Sequence, residues 1–234
     1  MPWREMGASL ALLLLLGSPA HADDPKLAPG RDPGGMAVAV LADGFDYLQP
    51  DLAKVLARDG EGEAIAWDAL DGDHRPFQGD GRGTDIGKAA AARGGVRIVA
   101  VRVATEDPAS LAKGIAFAAG TPAVVVLVAL DASARDAHKV VLLAAERFKT
   151  QLFVMSLPGV TADEKKRSET SGNLVLIDAS GDALLGAKAV AHVFGCNRGA
   201  LTGATGTELK AAFLERVGEA PSAGCEPEGG VKAD

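Results

Sequence analysis

The sequence predicts an α/β protein, a mostly parallel sheet with helices on both faces. Three observations lead there. Short apolar runs recur along the chain, from Met36 to Leu41, Ala123 to Leu130 and Leu152 to Leu157, and runs of that length and continuity suit strands buried on both faces. Stretches with helical spacing of apolar residues stand between them. The two kinds of segment alternate throughout, with no internal repeat, which is the pattern of one sheet wound with crossover helices. With 234 residues, 47% apolar and 24% charged, the chain can bury one proper core, with at most an appendage.

The first residues read as an address. Arg4 supplies a positive n-region, Leu10 to Leu16 a short apolar core and Ala20-His21-Ala22 an A-x-A cleavage signal, so residues 1–22 are predicted to be removed and the mature chain to begin at Asp23. The apolar run is too short to span a bilayer, no Cys follows the cleavage site to carry a lipid, and an exported, periplasmic or secreted, protein without membrane insertion is expected. The formal net charge is −7, and losing Arg4 with Glu5 leaves it unchanged. That excess of acid argues against a nucleic-acid or anionic-membrane partner. Two cysteines remain, Cys196 and Cys225. A bond between them would staple the tail in an oxidising compartment, and two separate thiols is the other reading.

Residues 23–35, rich in Pro, Gly and charge, read as an extended arm. The strand from Met36 stops at Ala42-Asp43-Gly44, where glycine permits a sharp turn, and Pro50 opens a helix that would present Leu52, Val55 and Leu56. A short strand at Ala64 to Trp67 precedes a Gly- and Asp-rich surface loop, Asp71 to Gly83. A helix follows over Thr84 to Arg93, then a strand over Arg97 to Val103, with its arginines at the edges of the apolar run. Pro108 to Ala119 is a helix, Ala123 to Leu130 the central strand, Arg135 to Lys149 an amphipathic helix and Leu152 to Leu157 the next strand. Thr161 to Gly172 reads as a charged loop, Asn173 to Ala179 and Ala189 to Phe194 as strands, and Gly206 to Val217 as a closing helix. The domain is expected to span 36–218, with an acidic tail over 219–234.

Three stretches, in this order, resemble the motifs of subtilisin-like serine peptidases, the subtilases. Val38-Ala39-Val40-Leu41-Ala42-Asp43-Gly44-Phe45-Asp46, followed by Pro50-Asp51-Leu52, is similar to the family's strand and turn that carry its Asp. Gly81-Arg82-Gly83-Thr84-Asp85-Ile86-Gly87 is similar to the G-H-G-T-H-V-A that carries its His. Gly206-Thr207-Glu208-Leu209-Lys210-Ala211-Ala212-Phe213 is similar to the G-T-S that carries its Ser. The resemblance implies a subtilisin-like fold in which Ala42, Arg82 and Glu208 stand at the three catalytic positions. It places the oxyanion Asn at Val160.

None of these replacements supports acyl transfer. Alanine cannot orient a base, arginine cannot accept a proton, and a carboxylate is a poor nucleophile toward amides. In subtilisin, loss of the Ser or the His alone costs about a factor of 10⁶ in turnover. The resemblance therefore implies a pseudoenzyme whose cleft binds a protein or peptide. Because the His and Ser positions face each other in the family, Arg82 and Glu208 are expected to form an ion pair, with Asp43 or Asp85 as second acceptor. Two alternatives stand beside this: a hydrolase whose catalytic set has moved, with His74 the nearest imidazole, and a small-ligand-binding α/β protein. No H-E-x-x-H or C-x-x-C occurs, no metal site or cofactor is expected, and Asp68, Asp71, Asp73 and Asp80 read as a solvated acidic loop rather than a calcium site. The glycines of Gly79-Asp80-Gly81-Arg82-Gly83 read as allowing close backbone approach, since the Lys-Ser/Thr of a phosphate loop is missing.

Overall fold

A computed structural model describes residues 24–134, 137–195, 201 and 203–217. Cys196, Cys225, the leader and the acidic tail lie outside the described residues. Six strands, β1 (Met36–Ala42), β2 (Ala66–Asp68), β3 (Val96–Arg102), β4 (Val125–Ala129), β5 (Leu152–Leu157) and β6 (Leu174–Asp178), form one sheet in the order β2-β3-β1-β4-β5-β6. Every pairing is parallel. The helices are α1 (Pro50–Ala53), α2 (Gly83–Ala91), α3 (Pro108–Ala119), α4 (His138–Arg147), α5 (Ala162–Thr170), α6 (Leu185–Phe194) and α7 (Gly206–Val217).

Alternation along the strands sorts the core into two layers. Val38, Val40, Ile98, Leu127 and Val154 face one side, where Ile86 and Ala90 of α2 and Val190 and Phe194 of α6 cover them. Ala39, Leu41, Val99, Val128 and Phe153 face the other side, under Leu111 and Ile115 of α3 and Val141 of α4. Leu127 is fully buried, so truncating it to alanine would cost about 2–5 kcal/mol. Helix α3 starts where Asp107 accepts hydrogen bonds from the backbone N–H groups of Ala109 (2.9 Å) and Ser110 (3.2 Å), with Pro108 in the first turn.

Three segments differ from the sequence expectation. The charged stretch after Thr161 is helix α5. Its apolar signal is weak, but Thr161 and Glu164 form a capping box that starts it. Its Ser168 hydroxyl donates to Leu174 O and accepts from Leu176 N, lying along the outer edge of β6 and occupying backbone groups that an edge strand otherwise exposes. Ala189 to Phe194 belongs to helix α6 rather than to a strand, because Gly186, Ala187, Val190, Ala191, Val193 and Phe194 bury most of the helix circumference and leave Lys188 on the exposed side. Helix α1 is a single turn, since the chain after Ala53 drops to the sheet, where Ala57 N donates to Ile98 O.

Candidate functional site

The order of the sheet reverses between β1 and β4. The chain leaves β1 toward β2 and β3 on one side, and leaves β4 toward β5 and β6 on the other. In open α/β sheets the crevice beyond the strands' carboxyl ends at such a point is where ligands bind. Here an aspartate follows each of the two strands closely: Asp43 directly after β1, and Asp131 two residues after β4.

Arg82 bridges them. Its backbone N–H and its Nε donate to the two oxygens of Asp43 at 2.8 and 3.2 Å, and a terminal nitrogen donates to Asp131 at 2.5 Å. Glycines make the approach possible. Gly44 holds φ +139°, and a Cβ on Gly81 or Gly83 would lie 2.4 or 2.5 Å from Gly44 O, so no larger residue lets the loop before α2 rest on the turn after β1. Thr84 secures the same contact, its hydroxyl accepting from Asp46 N at 2.7 Å. The side chains of Arg82, Asp43 and Asp131 are 39%, 42% and 50% exposed, so the clamp is open to solvent. Burial pulls the Arg82 pKa down, but the hydrogen bonds to Asp131 and Asp43 outweigh it and raise it above the ordinary arginine value. The group is a permanent cation and no base.

Glu208 is not part of this cluster. It stands in the first turn of α7, where its carboxylate accepts from the N–H and the hydroxyl of Thr205; these two bonds hold its pKa below the usual range. Gly206, beside it, packs against Gln151 O and Lys149 O just before β5 begins. That is the amino edge of the sheet. Leu152 shares its level with Val125 and Val38, so Ala42, four residues on, lies about 13 Å further along the strands. The expected Arg82–Glu208 pair is therefore not formed. The match at Gly206-Thr207-Glu208 reflects a local helix start rather than a position beside the crevice. Asp85 pairs with Lys88 at 3.1 Å instead. Ala42 is buried with the α2 and α6 layer, while Val160, past β5, packs toward the α3 and α4 layer.

The helix whose amino end stands at the carboxyl edge beside β4 and β5 is α6. A Cβ on Gly186 would meet Ser156 Cβ at 2.9 Å and Leu127 Cδ1 at 3.4 Å. Ser156, 2% exposed, has no hydrogen-bond partner for its hydroxyl among the described residues. Leu185, Gly186 and Ala187 bring no side-chain hydroxyl. The described imidazoles are engaged elsewhere: His74 Nδ1 with Ala66 O, His138 with Glu164, and His192 Nε2 with Arg216 O.

Sequence reading missed Asp131 and Ser156. Both had a signal. An aspartate closes the apolar run at Leu130 much as Asp43 closes the run at Leu41, and Ser156 is the lone polar residue within Leu152 to Leu157. The acidic loop is also less solvated than expected. Asp68 is fully buried at the end of β2, where Arg102 pairs with it at 2.9 Å and with Asp71 at 3.3 Å. Carboxylate oxygens of Asp24, Asp68 and Asp71 lie within 4.8 Å of one another, and the Arg102 guanidinium already supplies the cation there. Asp80 accepts from Gln78 Nε2.

No family model matches the sequence, and no curated protein matches it. Among solved structures, the chain is similar to a cold adapted subtilisin-like serine proteinase, with 14% identity over 79% of this chain and 82% of that one and a TM-score of 0.42. Among the described residues, no helix is long and apolar enough to cross a membrane.

Proposed function

We propose that this chain is an exported, non-hydrolytic binding module on a subtilase-like α/β scaffold, and that the crevice between β1 and β4 holds a peptide through an acidic group. The observation that carries the reading is the Asp43–Arg82–Asp131 clamp at the reversal of the sheet. By the motif resemblance Arg82 takes the position of a base; it is a permanent cation, and no described imidazole hydrogen-bonds to it. The Asp43 contact is anchored twice, through backbone and side chain, whereas Asp131 holds Arg82 by one half-exposed contact. A peptide carboxylate can replace Asp131 on the guanidinium without disturbing Asp43, keeping the fork geometry that arginine offers to carboxylates.

A hydrolase with a relocated catalytic set is the second reading, favoured by one observation, the unpartnered Ser156 hydroxyl beside α6. One experiment separates the two. The mature chain is treated with a fluorophosphonate probe and screened against a display library of random peptides, in parallel with Arg82→Met. The binding reading expects no covalent label and enrichment of peptides bearing acidic residues or a terminal carboxylate, lost in Arg82→Met. Labelling at Ser156 establishes the hydrolase, and enrichment that survives Arg82→Met removes the clamp from the site.

A further inference from the structure

A second site lies away from the clamp. Over β2 and β3, on the face that α2 and α6 cover elsewhere, a cavity of about 330 Å³ opens beneath the N-terminal arm. Its origin is legible in the residues. Ala66 and Ala100 are paired side by side in the sheet, where their neighbours on the same face are Val40 and Ile98. Helix α1, a single turn, leaves this part of the sheet without helical cover. Small floor residues and a missing helix leave a hollow, walled by Leu56, Tyr47 and Pro76 and roofed by Lys26 and Leu27 of the arm.

The roof is strapped on at two strengths. Residues 28–32 are fastened firmly: Arg58 donates to Ala28 O, Gly30 N donates to Gly62 O, and Asp32 accepts from Arg58 N and from Arg97. Residues 24–27 are held by the half-buried Leu27 side chain, which packs on the core, and by three polar tethers. Tyr47 Oη donates to Pro25 O at 2.6 Å, Arg75 donates to Asp24 O at 3.2 Å, and Lys26 faces Glu63 at 3.6 Å with both side chains exposed. Lifting this strap would uncover Leu27 but leave the fastening of residues 28–32 in place.

Charge at the rim selects the occupant. Lys26 is matched by Glu63, and the Asp59 carboxylate, which keeps its charge, is turned onto the N–H groups of Glu61 and Glu63 within its own turn. Arg75 is left over. Its guanidinium bonds a main-chain carbonyl, and among the described residues no carboxylate pairs with it. The cavity has an apolar floor and wall (Ala66, Ala100, Leu56) and a polar rim that also carries His74, whose Nδ1 is taken by Ala66 O. The Arg75 fork on that rim fits an amphipathic acid, its hydrocarbon on the alanine floor and its carboxylate on the guanidinium. At about 30 Å³ of liquid volume for each water-sized group, the chamber holds roughly ten non-hydrogen atoms. We propose that this cavity is a binding site for a small amphipathic monocarboxylate, of the size of a medium-chain fatty acid, with Arg75 as its head-group residue and residues 24–27 as its cover. The site is independent of the clamp and does not require peptide binding there.

The test is calorimetric titration of the mature chain with decanoate and, in parallel, with decylamine, repeated on Arg75→Gln and Ala100→Leu. Decanoate should bind saturably at one site and decylamine at least about tenfold more weakly. Arg75→Gln should weaken decanoate by about tenfold or more, and Ala100→Leu, which fills the floor, should remove its binding. Absence of saturable decanoate binding, equal binding of the amine, or full decanoate affinity in a folded Ala100→Leu chain overturns the proposal. If Ala100→Leu does not fold, Arg75→Gln decides alone, because its side chain lies at the rim.

Discussion

Breaking the clamp should cost little stability, and the amount follows from its exposure. Arg82→Met keeps most of the side-chain stem while removing both ion pairs, and the Arg82 N–H to Asp43 bond survives because it is main chain. The three side chains are between 39% and 50% exposed, and ion pairs in that setting are worth about 0.2–1 kcal/mol each. The loss should be about 0.5–2 kcal/mol, a fall of a few degrees in Tm for a domain of this size. In a double-mutant cycle with Asp131→Asn, read by urea unfolding, the coupling energy should lie below about 1 kcal/mol. It should shrink further as salt rises from 0.1 to 1 M, over which the screening length falls from about 10 to about 3 Å. A coupling above about 3 kcal/mol that ignores salt would refute the reasoning, because the clamp would then be a buried structural pair that no ligand carboxylate can enter. No coupling at low salt would refute it equally, since the contact would not exist in solution.

Three further outcomes are expected. Ser156→Ala should leave stability unchanged or raise it by up to about 1 kcal/mol, because it deletes a buried hydroxyl without a partner; a loss above that, by urea midpoint, means the hydroxyl is bonded. Asp32→Ala should cost about 1.5–3 kcal/mol at neutral pH, since its carboxylate accepts from Arg58 N, Gly34 N and Arg97. Burial alone would raise the Asp32 pKa, but those bonds lower it overall. The unfolded chain therefore takes up the proton first as pH falls, and the wild-type advantage is intact above about pH 4 and fades below it. Unfolding curves of the two chains should converge toward low pH, and a gap that stays constant down to full protonation contradicts the assignment. Glu208→Gln should slightly destabilise the start of α7, where its carboxylate accepts from Thr205, and leave intact the peptide capture that Arg82→Met removes.

The sheet was readable because its strands are buried on both faces, and burial on both faces writes itself as uninterrupted Val, Leu and Ile. Helices α5 and α6 were not readable for opposite reasons. Helix α5 buries so little that its apolar pattern vanishes and only the Thr161–Glu164 capping box marks it. Helix α6 is buried over so much of its surface that His192 alone breaks the apolar run from Ala189 to Phe194, which then looks like a strand. The site divided along similar lines. Asp43 and Arg82 come together because glycines at 44, 81 and 83 bring two loops into contact, and glycine spacing is visible in sequence. Asp131 lies far along the chain and reaches Arg82 only through the order of the strands, which no local pattern contains. Glu208 misled because Gly-Thr-Glu is a good way to begin any helix.

The topology accounts for the clamp as well as locating it. Two parallel strands whose connections depart in opposite directions leave a gap at their carboxyl ends that no crossover covers, so the residues after β1 and β4 face water at the centre of the molecule. Two carboxylates there repel each other unless a cation stands between them, and the cation must arrive from an element fixed on the same edge. Helix α2 is that element, with Arg82 as its N-cap residue seated by the contact of Gly81 and Gly83 with Gly44. Neutral replacements for both aspartates, Asp43→Asn with Asp131→Asn, would leave the guanidinium at the gap with neither carboxylate. Such a chain should bind acidic peptides more tightly than wild type, since the ligand no longer competes with Asp131. Weaker binding by that double variant would mean that the aspartates contact the ligand themselves rather than occupy its place.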